Sequence, residues 1–111
     1  MMTIAEYQEK AARTFRAELT SSQMFYHALH GMCSELGEIN GILQKQYQGH
    51  EVNAAHMKSE LGDLMWFVTE FCVANGWTLE EVCAENNAKL LKRYPKGFEA
   101  ERSLNRAEGD V

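Results

Sequence analysis

Four of the chain's acidic residues form a pattern with chemical meaning. Glu35-Leu36-Gly37-Glu38 is echoed by Glu60-Leu61-Gly62-Asp63. Two carboxylates three residues apart project from one face of a helix. The leucine falls on a different face and can enter a core. The glycine removes bulk and lets something approach closely. A glycine inside a helix costs about 1 kcal/mol against alanine, so its recurrence at one place in both copies implies a use. Four like charges cannot share a site unprotonated without cations. An all-oxygen ligand set favours Mg²⁺, with Mn²⁺ as a substitute, over zinc or copper. A di-iron bundle would want Glu-x-x-His on paired helices, and neither repeat supplies that histidine.

Other polar residues are less specific. Asn86, Lys89 and Arg93 recur at spacings of three and four, which is one helix face. Such a cationic strip, ending at Tyr94-Pro95, suits phosphates. Lys45 lies two turns after Glu38 on the same stripe and suits the same task. His27 and His30 fall on the stripe leading to Glu35 and Glu38, as outer partners of the acids or as substrate contacts, although packing is the commoner role for such residues. His50 and His56 flank a loop and carry little information.

These residues require helices to position them, and the sequence predicts helices almost throughout. Thr3-x-x-Glu6 reads as a capping box opening a helix to about Glu18. Thr20-x-x-Gln23, a weaker box, opens a long helix through Gln46, with Leu29, Met32, Leu36, Ile39 and Leu43 in helical register. Residues 47–53 read as a loop, with Asn53 the next N-cap. A third helix runs to about Ala74 and stops at Asn75-Gly76. Thr78-x-x-Glu81 opens a fourth, which Pro95 ends near Tyr94. The remaining polar residues, 95–111, read as an extended tail. The run from Glu38 to the loop is about 13 Å of helix and that from Asn53 to Glu60 about 10 Å. A hairpin of the second and third helices would therefore set the two acidic repeats at nearly one level.

The third helix is apolar almost all round, from Leu61 through Val73, and three other helices can hardly cover it. The expectation is a single all-α domain over residues 1–111, a four-helix bundle completed by oligomerisation: a homodimer first, a tetramer second. The net charge of −5 and the lack of a basic cluster argue against a nucleic-acid or anionic-membrane partner. No segment has the length and apolarity of a membrane span, and the first residues lack the order of a signal peptide, so a cytoplasmic location is expected. Cys33, Cys72 and Cys83 read as small, reduced core residues.

The acids and their surroundings resemble the MazG-like all-α nucleoside triphosphate pyrophosphohydrolases, the group that includes dimeric dUTPases and dCTP pyrophosphatases. The resemblance rests on E-x-x-E and E-x-x-D separated by 21 residues, on Tyr7-Gln8, Ala12-Arg13-Thr14 and Gln48-Gly49-His50, and on Asn86-x-x-Lys89-Leu90, Arg93-Tyr94-Pro95-x-Gly97-Phe98 and Glu101-Arg102-Ser103. It implies that Glu35, Glu38, Glu60 and Asp63 hold Mg²⁺ and carry catalysis. It implies that Asn86, Lys89 and Arg93 contact a nucleoside triphosphate, which is cut to the monophosphate and pyrophosphate. Ser34 stands where several relatives carry another acid, so activating water would fall to one of the four. The alternative is a non-catalytic helical dimer that binds a nucleotide or a protein.

Overall fold

The computed structural model describes residues 1–111, and the chain is all-α with no strand. It divides into two compact units, residues 1–79 and 80–111.

The first unit is built on a hairpin of α2, Ser21–Gln44, and α3, Ala54–Ala74, with α1, Ile4–Ala12, packed on α3. Thr20 and Gln23 make a complete reciprocal capping box at the start of α2, with bonds of 3.0 and 3.1 Å. At the start of α1 only half of that exchange forms, because the Glu6 side chain takes the Thr3 hydroxyl proton instead of the Thr3 N–H. The relative strength of the two boxes is therefore the reverse of the sequence expectation. The link between α2 and α3 begins with a 3₁₀ helix, Lys45–Gln48, and Gly49 ends it at φ 92°. That left-handed conformation is one glycine adopts freely. Asn53 then caps α3 by accepting from the His56 N–H at 3.0 Å.

α1 stops at Ala12, six residues before the expected end at Glu18. The Thr14 hydroxyl donates to the Ala11 carbonyl at 2.6 Å and itself accepts from Trp66 Nε1 at 2.7 Å. The Phe15 ring stands edge-on to Trp66, 5.1 Å between centroids. Contacts to α3 thus outweigh the local helical pattern of residues 13–18.

Contacts along α2 and α3 run in opposite senses: Gly31 lies under the Phe67 ring, and His27 bonds Glu70. A Cβ on Gly31 would overlap that ring. The close approach expected of Gly37 and Gly62 is made here instead, since nothing within the chain lies within 4 Å of where their Cβ atoms would be. The buried side chains of α3 are Glu60, Thr69, Glu70 and Cys72, whereas Leu61 and Met65 are 51% and 40% exposed. On α2, Leu29, Leu36 and Leu43 are exposed, so Leu36 does not enter the core of the chain as its place in the acidic repeat allowed. Of the cysteines, none in a disulfide, Cys72 is buried and Cys33 exposed, which corrects the expectation that all three fill the core.

The second unit holds α4, Leu79–Arg93, which enters it at Glu80, and α5, Ala100–Leu104. Pro95 follows the end of α4, and the chain turns at Gly97, φ 98°, with the Phe98 ring 5.3 Å from that of Tyr94. The segment expected to be extended throughout contains α5, held at its end by Asn105 Nδ2 donating to the Glu101 carbonyl at 3.0 Å. Beyond it, Gly109 at φ 83° and the Asp110 N–H bonded to the Ala107 carbonyl turn the chain back.

Candidate metal centre

The antiparallel hairpin carries Glu35 and Glu38 on α2 against Glu60 on α3, and carboxylate oxygens from the three lie within 4.8 Å of one another. Asp63, one turn beyond Glu60, is exposed and stands outside that set, but its charge helps raise the pKa of both Glu35 and Glu38. In the absence of a cation, like charges favour separation.

The electrostatics record the crowding. Glu35 is pushed up to about 7, first by sharing its proton in a hydrogen bond with Glu60, then by burial and by the charges of Glu38, Glu60 and Asp63. Glu38 is raised, again chiefly through Glu60. Glu60 is held down by accepting from both, and His56 Nε2, 2.9 Å from Glu60 Oε1, assists. Glu35 Oε2 is buried with no hydrogen-bond partner. A buried carboxylate oxygen without a partner is costly, and it belongs to a group of acids that repel one another. Both features fit a divalent cation, which supplies the missing contact and offsets the repulsion.

Below this cluster, Glu70 is wholly shut from solvent, and its carboxylate accepts from His27 Nδ1, 2.8 and 3.0 Å from its two oxygens. His27 thus ties α2 to α3 and does not reach the acids. His30 stacks on Tyr26, 6.4 Å between centroids. Lys45 is exposed on the 3₁₀ helix.

In the second unit, Asn86 is exposed on α4. Lys89 Nζ donates to a main-chain oxygen of Val111 at 2.8 Å, and Arg93 makes a two-pronged pair with Asp110, 2.8 Å from Nε and 2.5 Å from Nη2. Sequence reasoning missed His56, Glu70 and Gly31. The His56-x-x-x-Glu60 spacing, one helical turn, was a readable signal for the first.

The family model for the MazG nucleotide pyrophosphohydrolase domain matches residues 23–98, from α2 through the turn after α4. The chain belongs to that family. The matched range contains Glu35, Glu38, Glu60 and Asp63 and the strip of Asn86, Lys89 and Arg93. MazG domains are nucleotide pyrophosphohydrolases and generally depend on a divalent metal, a requirement the Glu35–Glu38–Glu60 cluster fits. Comparisons with curated proteins and with solved structures return no match. No helix is long and apolar enough to cross a membrane.

Proposed function

We propose that this chain is a Mg²⁺-dependent hydrolase that cuts (deoxy)nucleoside triphosphates between the α- and β-phosphates, giving the monophosphate and pyrophosphate. The observation that carries this reading is the convergence of Glu35, Glu38 and Glu60, with an unpartnered buried oxygen on Glu35. Glu35, Glu38, Glu60 and Asp63 hold the cation, for which Mn²⁺ can substitute. Bound there, it would neutralise the triphosphate and lower the pKa of a water ligand. Glu38 is the most solvent-accessible of the three converging acids and is suited to orienting or deprotonating the attacking water. Glu60, held ionised by its neighbours and by His56, is suited to permanent ligation. Asn86, Lys89 and Arg93 bind the phosphates, and the two cations stabilise the pyrophosphate leaving group by charge. Lys45 adds a further cation. A cytoplasmic location goes with such a substrate.

The working unit in this reading is a homodimer, with a tetramer as the next choice. Leu29, Leu36 and Leu43 recur every seven residues on α2 and are 38%, 59% and 42% exposed. With Leu61 and Met65 they leave the hairpin with apolar surface that a second copy would cover.

The test is a panel of common and modified triphosphates with Mg²⁺, read by released pyrophosphate. Turnover of at least one member with pyrophosphate as product supports the reading. Failure of every member, with folded protein and saturating metal, overturns it.

A further inference from the structure

Two of the three cations of α4, Lys89 and Arg93, are already engaged by the chain's own oxygens. Asp110 presents both carboxylate oxygens to Arg93, one to Nε and one to Nη2, with the two side chains only 10% and 15% exposed. Such a planar two-oxygen contact is the geometry by which a guanidinium also binds phosphate. Lys89 Nζ meanwhile donates to a main-chain oxygen of Val111, the last residue of the sequence. Around them lies a cavity of about 500 Å³ lined by Lys89, Lys92, Arg93, Arg102 and Arg106, with Glu108 and Asp110 on the tail side. Five cations face the carboxylates of Glu108 and Asp110 and the terminal oxygen of Val111 there, so the cavity still has charge left over for a stronger anion. The turn that delivers Asp110 depends on Gly109, whose φ of 83° strains any residue with a side chain.

We propose that residues 107–111 act as a built-in competitor for phosphate: Asp110 and the main-chain oxygen of Val111 occupy Arg93 and Lys89 until a polyphosphate anion displaces them. This rests on the reading above that these two cations bind substrate phosphates. A pyrophosphate group brings more charge and more oxygens to these cations than Asp110 and Val111 together, so it wins when present. The tail thereby lowers the apparent affinity for substrate, and equally for the pyrophosphate product, by the fraction of time it is seated.

Calorimetric titration of the full chain with inorganic pyrophosphate in Mg²⁺ buffer tests this, alongside triphosphate kinetics. Asp110→Asn removes the competing charge, and Gly109→Val unseats the turn while leaving the carboxylate in place. Both should bind pyrophosphate on the order of three- to tenfold more tightly and lower KM by the same factor, with kcat unchanged. Glu108→Gln removes a charge from the same cavity without touching Arg93 and should have a much smaller effect. On an Arg93→Ala background the Asp110→Asn change should become silent. The proposal is overturned if both tail variants bind pyrophosphate no better than the parent, or if Glu108→Gln matches Asp110→Asn. Either result beside normal turnover leaves the hydrolase reading standing. Tighter pyrophosphate binding by the variants, with no triphosphate turned over by any chain, supports the competitor and sinks the hydrolase reading.

Discussion

His27 Nδ1 lies 2.8 Å from the carboxylate of Glu70, a side chain fully enclosed on the next helix 43 residues along the chain. This pair fixes the level at which α2 meets α3 and, nearly three turns earlier on α3, the level at which Glu35 and Glu38 meet Glu60. The carboxylate needs the imidazole N–H, since an ionised acid can only accept.

Removing one member of that pair should cost more than removing its charge partner's shape alone. His27→Ala leaves a buried acid without a donor and should destabilise the chain by roughly 2–3 kcal/mol. A double variant, His27→Leu with Glu70→Leu, should recover much of that loss. Urea unfolding checks both. If His27→Ala costs nothing, the pair does not set the hairpin.

Gly31→Ala places a methyl group where the Phe67 ring lies. Overpacking of this kind costs about 1–3 kcal/mol. Phe67→Leu on the same background should restore part of the stability, and thermal melts of the single and double variants would show the coupling. Additive losses would mean that ring and glycine do not meet.

How much of this was legible in the sequence follows from what each signal depends on. Thr20 and Asn53 marked helix starts correctly because capping is local, and the 3.6-residue period identified the helices. Rise per residue, once a hairpin was assumed, brought all four acids to one level; Glu35, Glu38 and Glu60 do converge, whereas Asp63 stands outside their set. The early end of α1 was not readable, since it depends on Trp66 reaching Thr14 across 52 residues. Glu70 lies within the apolar stretch from Leu61 to Val73, and only the packed hairpin shows that it faces His27. The turn that seats Asp110 on Arg93 depends on a positive φ at Gly109, which no periodicity announces.

In chelator, stability should fall as pH rises. Glu35 is raised from its ordinary value of 4.5 to about 7, and Glu38 is raised as well. Both bind protons more tightly folded than unfolded, so their contribution is full below about 4.5 and is lost as pH rises, in the case of Glu35 through about 7. Glu60, held low, acts in the opposite sense, and its contribution is lost only as pH falls below the ordinary carboxylate range. The melting temperature of the metal-free chain should therefore be higher at pH 5 than at pH 8. Glu35→Gln should flatten that dependence, and so should saturating Mg²⁺. A melting temperature that rises from pH 5 to pH 8 in chelator would count against the crowded-carboxylate description.

Light scattering should give about twice the 12.7 kDa chain mass at micromolar concentration. Leu36→Lys, in the middle of the exposed α2 stripe, should shift the protein toward monomer. A parent mass of one chain would remove the dimer from the account.

The central claim is that the carboxylate cluster holds a metal for cleavage of the α–β phosphoanhydride. Phosphorus NMR of a triphosphate turned over with Mg²⁺, comparing the parent with Glu38→Gln, tests it most directly. The account predicts monophosphate and pyrophosphate as the first products, no reaction in excess chelator, and a loss in kcat on the order of a hundredfold or more for the folded variant. Early orthophosphate with diphosphate, full activity in chelator, or an unchanged rate for Glu38→Gln would contradict it.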